Sequence, residues 1–181
     1  MDVSRARVTA RQRAHNFSDR AALMAALFCF ALVGVMSSGS FHLAAEPSSE
    51  KTEVLWLETE AGPAHKIHVE VARTMAEKSR GLMFRTSLAP DRGMLFPYKE
   101  AGNHAMWMRN TYIPLDMVFI KSNGRVHRIE AKTEPFSETI ISAGAPVTGV
   151  LELAGGMAAK LGLKAGDLVR HSWFGTAKDS D

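Results

Sequence analysis

The chain has 181 residues, of which 46% are hydrophobic and 23% are charged, and this size and composition are typical of one globular domain. The formal charge of +3 comes from residues 1–45, where five arginines face Asp2 and Asp19, because the remaining residues hold 17 Lys and Arg against 17 Asp and Glu. A neutral domain without a basic stripe or a recognition motif argues against nucleic-acid binding.

The first 45 residues have the pattern of an export signal. An arginine-rich start precedes the apolar run 21–36, and small and polar residues follow it at 37–40. The run is shorter than the roughly 20 residues of a membrane-spanning helix. A secretory signal peptide is therefore one expectation, and an N-terminal membrane anchor formed by 21–36 is the other. Both predict a periplasmic or extracellular domain, which a polar linker at 46–52 connects to the leader.

The cysteine content limits the chemistry of the exported part. The chain has one cysteine, Cys29, and it lies within the apolar run of the leader. The domain that follows contains none. Disulfides, thiolate metal sites and cysteine nucleophiles are thereby excluded from it.

The domain begins with two predicted strands and a helix. Residues 54–57 and 67–71 flank a turn at Gly62, and the second run alternates apolar and polar residues as a half-buried strand does. Thr74 and Glu77 have the spacing of a capping box, and Gly81 is placed to end the helix. This spacing predicts a short helix of about two turns.

The rest of the domain is predicted to be mostly strands. A strong two-residue hairpin signal stands at Asn123-Gly124. A polar loop is expected at 132–137 and a short helix at 156–161. Seven or eight short strands with two short helices predict a mainly β (α+β) fold, a compact antiparallel sandwich or barrel in a single domain at 53–175, before a frayed tail at 176–181. The later strands are expected at 94–96, 104–108, 115–120, 126–131, 147–153 and 168–171.

Two carboxylates stand in otherwise apolar strands. Asp116 and Glu152 each lie between two apolar residues, and burial of an unpaired carboxylate costs several kcal/mol. One interpretation is a small polar pocket, in which these groups hold a ligand with nearby arginines or one of them acts as a general acid or base. The other is structural: Asp116 caps the turn at 110–111, and Glu152 pairs with an arginine. Both interpretations stay open.

A second candidate site is built from soft metal ligands. Along a strand, His104, Met106 and Met108 fall on one face, because side chains alternate with a period of two. Histidine and thioether ligands favour Cu(I). Methionine also fills irregular cores well, and core packing is the favoured interpretation.

Six short runs stand out along the domain, namely RGLMFR at 80–85, GMLF at 93–96, WMRNT at 107–111, IPLD at 113–116, VLEL at 150–153 and LGLKAGD at 161–167. Together they resemble domain-of-unknown-function family 192 (DUF 192). The resemblance spans about residues 66–169 and implies a small β-rich domain, often behind an export signal, whose biochemical role is not established. The family's motif positions correspond to Arg80, Arg85, Trp107, Asn110, Asp116 and Glu152.

These observations favour a non-catalytic exported binding module for a small polar ligand or an extended peptide. No nucleophile elbow, phosphate loop or zinc helix occurs, although enzyme activity stays open. One alternative is a periplasmic Cu(I) protein that uses His104, Met106 and Met108, and another is a hydrolase that depends on Asp116 and Glu152. The favoured function needs no cofactor, and we expect a monomer that meets the membrane only through its N-terminal segment. The predicted ligand-binding residues are Arg80, Arg85, Trp107, Asn110, Thr111, Asp116 and Glu152.

Overall fold

The structure, a computed structural model, describes residues 51–60 and 62–177. The predicted export segment, most of the linker and the last four residues lie outside this part of the chain. The helices of this part are too short or too polar to span a bilayer.

The described residues form nine strands and two short α-helices, which confirms the predicted mainly β class. A single 3₁₀ turn, Ser172–Phe174, follows the last strand. The helices are α1 (Met75–Arg80) and α2 (Met157–Lys160). The strands are β1 (Thr52–Glu58), β2 (His65–Val71), β3 (Arg92–Gly102), β4 (Ala105–Met106), β5 (Leu115–Ile120), β6 (Val126–Glu130), β7 (Ile141–Ser142), β8 (Val147–Ala154) and β9 (Leu168–Arg170).

Seven strands form one curled sheet in the order β6-β5-β8-β3-β2-β1-β9, and β4 pairs with β7 in a separate two-stranded sheet. The neighbours are antiparallel except for β2 and β3, which run parallel with α1 in the connection between them. A bridge between Arg125 and Leu168 brings the two ends of the large sheet together at one point. The result is a half-barrel.

Two strands differ from the sequence prediction. Strand β3 continues through Pro97 to Gly102 instead of ending at the proline, because the pairing with β8 shifts register between these two residues and so accommodates the missing N–H. The predicted strand 104–108 shortens to the two residues of β4. Its partner β7 was not predicted, since two residues carry too little periodicity to be recognised.

The capping box predicted at the start of α1 is present. The Thr74 hydroxyl accepts a hydrogen bond from Glu77 N, and the Glu77 carboxylate accepts one from Thr74 N. Gly81 ends the helix with φ +47°, and a Cβ there would lie 3.2 Å from the Phe96 ring. Glycine therefore lets the end of α1 approach β3 closely.

Apolar side chains pack on both faces of the sheet. One core cluster contains Leu95 and Leu151, and the other contains Phe96 and Val150, their neighbours along β3 and β8. Successive side chains of a strand point to opposite faces, so a buried strand contributes to both clusters. Each polar residue in these strands is thereby assigned to one face.

Candidate functional site

A pocket of about 390 Å³ lies beside α1, β3, β4 and β8. Exposed side chains at its rim include Met75, Trp107 and Ile140, of which Ile140 is 62% exposed. Inner surfaces come from β3 and β8. The lining residues are Met75, Lys78, Ser79, Arg80, Gly81, Leu82, Met83, Phe96, Tyr98, Ala105, Met106, Trp107, Thr111, Ile140 and Glu152.

Glu152 is the one acidic residue among those that line this pocket. It lies on β8 in register with Met94 of β3 and Met117 of β5, and only 4% of its surface is exposed. Its Oε2 atom is buried and has no hydrogen-bond partner among the described residues. Burial raises the pKa of Glu152 to about 8, so the carboxyl group holds its proton at neutral pH when the pocket is empty.

Tyr98 forms the wall next to this carboxyl group. Burial, and secondarily the charge of Glu152, raise the pKa of Tyr98 above its usual range. The Tyr98 hydroxyl donates to Met106 Sδ at 3.7 Å, and the His104 ring stacks on the Tyr98 ring at 3.6 Å between centroids. Lys78 Nζ lies 4.4 Å from the centroid of the Tyr98 ring and donates to Pro97 O.

Much of the remaining wall is apolar and polarizable, although Ser79, Arg80 and Thr111 also line the pocket. Thioethers come from Met75, Met83 and Met106, and aromatic surface comes from Phe96 and Trp107. Thioethers pack well around irregular shapes, and aromatic faces attract cations. This part of the lining suits an apolar stem, and Glu152 is the one lining group that can pair with a positive charge, whereas Lys78 and Arg80 oppose one.

The two predicted arginines occupy different environments. Arg80 is exposed and lines both this pocket and a second, more charged cavity of about 450 Å³. Arg85 lines only the second cavity, where both of its terminal nitrogens donate to the Glu70 carboxylate. Arg85 therefore lies outside the lining of the Glu152 pocket.

Asp116 lies away from the pocket and has backbone partners. Its Oδ1 accepts hydrogen bonds from Lys132 N and Gly156 N, and its Oδ2 accepts one from Ala158 N, each at 2.8 Å. The side chain thus holds the start of α2 against the segment after β6. The structural interpretation of the sequence expected Asp116 to cap the turn at 110–111. Its hydrogen bonds instead connect the start of α2 with Lys132.

The turn before β5 shapes the mouth of the pocket. Thr111 is buried and lines the pocket, and its hydroxyl donates to Arg109 O at 3.3 Å. Asn110 is exposed, has φ +55°, and accepts a backbone hydrogen bond from Phe84 N at 2.9 Å. Its side-chain amide lies 3.9 Å from Met83 Sδ. Of this pair, Thr111 alone contributes to the lining.

The three predicted soft metal ligands do not share one cavity. Met106 lines the pocket, and the His104 ring stacks on Tyr98. Met108 is fully buried and accepts a hydrogen bond from Thr133 Oγ1 at 3.1 Å. Within the described residues, no group of three or more His, Cys, Asp or Glu side chains could hold a metal ion.

Sequence reasoning missed several lining residues, namely Tyr98, Lys78, Met75 and Met83. The prediction ended the strand at Pro97, so the alternation that places Tyr98 on the same face as Phe96 was cut short. The spacing of Met75 and Lys78 places them on one face of the predicted helix. A helix of six residues is too short for its sequence pattern to show that this face borders a cavity.

Comparison with known proteins assigns the family. The family model DUF 192, described as "Uncharacterized ACR", matches residues 57–171. The chain belongs to the DUF 192 family. This match includes every residue that lines the pocket, from Met75 to Glu152. A comparison with curated proteins found no match.

Two solved structures are similar to this DUF 192 domain. One, from Sinorhizobium meliloti 1021, is named as a candidate transcription regulator; it is 41% identical, has a TM-score of 0.67, and the match covers 71% of this chain and 99% of that one. The other, from Novosphingobium aromaticivorans DSM 12444, is a protein of unknown function; it is 41% identical, has a TM-score of 0.66, and the match covers 70% of this chain and 90% of that one.

Proposed function

We propose that this DUF 192 domain is a non-catalytic binding module whose ligand carries an apolar stem and places an ammonium group against the Glu152 carboxylate. The observation that carries the proposal is a buried carboxyl group without a described partner in a pocket with exposed residues at its rim. Buried charges are normally paired, since the desolvation cost is otherwise not recovered. A cationic ligand supplies the missing partner.

The walls support a ligand of this shape. The thioethers of Met75, Met83 and Met106 and the exposed Trp107 ring offer apolar surface to a methylene stem, and the Trp107 ring also attracts an ammonium group. In the empty pocket a proton neutralises Glu152. An entering ammonium group replaces that proton, so binding is coupled to proton release.

The position of Asp116 supports a binding role over hydrolysis by two carboxylates. Hydrolysis of a glycosidic bond by such a pair needs the two groups roughly 5–10 Å apart on either side of one substrate. Glu152 lines the pocket, whereas Asp116 lies outside it with both oxygens bonded to backbone N–H groups. This arrangement leaves one carboxyl group in the pocket.

We also propose that the protein is exported. The support for export is the charge and hydrophobicity pattern of residues 1–45. The description as a candidate transcription regulator applies to the similar structure from Sinorhizobium meliloti 1021. Equal numbers of acidic and basic residues after position 45 give no support to DNA binding by this chain.

Methionine methyl NMR tests the binding role directly. The purified protein, labelled at the methionine methyl groups, is titrated with n-butylammonium chloride and, as an apolar control of similar size, with n-butanol. We expect saturable shifts at Met75, Met83 and Met106 for butylammonium, with a Kd on the order of 1 mM. The Met157 methyl belongs to the other core cluster and is expected not to move.

The matched control variant is Glu152→Gln, which keeps the side-chain size and cannot ionise. We expect its affinity for butylammonium to fall at least tenfold while its affinity for butanol is unchanged. Near-UV circular dichroism checks that the variant keeps the native packing. Equal affinities of the native protein and the variant for butylammonium would overturn the proposal, as would equal affinities of the native protein for the amine and the alcohol.

A further inference from the structure

One edge of β4 is open next to the pocket. Ala143 N donates to His104 O at 2.9 Å, and β4 has no ladder partner besides β7 in the described part of the chain. Backbone groups of an extended chain alternate in direction, so the N–H and C=O groups of Ala105 and Trp107 point away from β7. No described backbone group forms a hydrogen bond with those of Trp107.

This open edge borders the lining of the Glu152 pocket. Ala105, Met106 and Trp107 contribute to one wall, and Met75 of α1 contributes to another. An extended chain that pairs with β4 would run along the mouth of the pocket. Since its side chains alternate, one of them could enter the pocket while its backbone forms hydrogen bonds with the strand edge.

An exposed aromatic cluster continues the apolar surface beyond the pocket. The Tyr112 ring lies 6.1 Å from the Phe84 ring and 5.3 Å from the Phe136 ring, between centroids. Phe84 and Phe136 have φ +64° and +63°, a conformation that is rare for bulky residues, and hydrogen bonds to the turn at 110–111 hold their N–H groups. Met83, next to Phe84 in the chain, lines the pocket. The apolar surface therefore extends beyond the pocket lining to three rings that are 44–58% exposed.

We propose that the natural occupant is an extended polypeptide that adds as a strand to the open edge of β4 and inserts a lysine side chain towards Glu152. A lysine has a methylene stem for the apolar wall and an ammonium group that can pair with Glu152, and a polypeptide has the amide groups that a strand edge pairs with. The inference rests on the proposed function, since it uses the same carboxylate. A lipid or a free amine offers no row of amides to β4.

Titration with backbone-methylated peptides tests strand addition. The parent probe is acetyl-Val-Thr-Lys-Thr-Val-amide, and the same methionine methyl groups report its binding. One control peptide carries N-methyl groups at positions 2 and 4, and the other carries one at position 3. We expect the parent to bind at least tenfold more tightly than butylammonium. Because alternate amides face the strand edge, one methylated peptide should lose this gain and the other should keep it.

The outcomes separate this inference from the function on which it depends. If butylammonium binds and the parent peptide binds no more tightly, the proposed function stands and strand addition is wrong. Equal effects of the two methylation patterns also overturn strand addition. If neither probe moves the pocket methyl groups, both proposals fail. A dimer whose formation shifts these groups without any peptide would make a second copy of the chain the occupant instead.

Discussion

Asp116 and Glu152 lie on adjacent strands, yet their side chains point to opposite faces of the sheet. The register of β5 and β8 pairs Asp116 with Leu153 and Met117 with Glu152. Paired residues of neighbouring strands share a face, and successive residues alternate. The sheet therefore separates two carboxylates that look alike in the sequence. Asp116 is bonded to backbone N–H groups, and the buried Glu152 lines the pocket.

Asp116→Ala is expected to reduce the free energy of unfolding by about 2–4 kcal/mol, because three backbone N–H groups lose their acceptor. Urea unfolding followed by circular dichroism measures this loss. Without urea, where the variant is still folded, its affinity for butylammonium should equal that of the native protein. A folded variant with tenfold weaker binding would place Asp116 in the binding site and contradict the division of roles.

Glu152 should make the protein less stable as pH rises. Its pKa is about 8 in the folded protein and near 4.5 in the unfolded chain, so between these values the folded state holds a proton that the unfolded state has lost. Stability is therefore greatest below about pH 4.5, as far as this group is concerned, and falls until about pH 8, by at most about 4–5 kcal/mol.

Denaturant unfolding at pH 5, 6.5 and 8 measures this dependence, with Glu152→Gln as the control. The variant should lack the fall in stability between pH 5 and pH 8 that the native protein shows. Parallel stability curves for the two proteins would mean that water or a partner already compensates the Glu152 charge.

Lys78 should oppose the entry of a cation. The Lys78 side chain lines the pocket, and its ammonium group lies over the Tyr98 ring. Burial lowers the pKa of Lys78. Lys78→Met keeps a comparable stem and removes the charge. We expect its affinity for butylammonium to rise severalfold, as measured by the same methyl titration. A fall in affinity would indicate a ligand with an anionic group at this position.

Gly93→Ala should weaken the pairing of β3 with β8. A Cβ at this position would lie 2.7 Å from Glu152 O and 3.1 Å from Leu153 Cδ2, and the backbone oxygen cannot move without displacing the strand that carries Glu152. We expect a loss of about 1–3 kcal/mol in the free energy of unfolding, as for other overpacked positions. An unchanged urea midpoint would show that β8 can shift there at no cost.

His171 should destabilise the protein in acid. It is buried, accepts a hydrogen bond from Trp173 N, and has a pKa below its usual value, chiefly because of burial, although Glu53 opposes that shift. As pH falls, the His171 side chain is therefore protonated in the unfolded chain at a higher pH than in the folded protein. The stability that is present above about pH 6.5 is lost as pH falls below that value. His171→Asn keeps a capping acceptor without titrating, so its stability should fall less between pH 7 and pH 5. An equal fall in both proteins would contradict this role.

The sequence predicted eight of the nine described strands, although with the wrong extent for β3 and β4, and it predicted both short helices, since these elements depend on local patterns. Alternation located β2, and the spacing of Thr74 and Glu77 located the start of α1. The parallel pairing of β2 with β3 was not predicted. That pairing is set by the crossover through α1 and by packing across the sheet, which no local pattern encodes.

The candidate site could be predicted only in part. Glu152, Trp107, Thr111 and Arg80 were predicted binding residues, and they line the pocket. Asp116 and Glu152 share the same local signal, an acidic residue between apolar ones. This signal cannot tell on which face of the sheet backbone N–H groups will reach the carboxylate. Tyr98 was missed because strand continuation beyond a proline depends on a register shift in the partner strand.

The most direct test of the central claim is the pKa of Glu152, measured by ¹³C NMR of its carboxyl carbon with and without saturating n-butylammonium. The binding model predicts a value near 8 in the free protein and a fall of at least one unit when the amine is bound, because an adjacent cation favours the charged carboxylate. A value that stays near 8 at saturation would contradict the claim that the ligand's ammonium group meets Glu152.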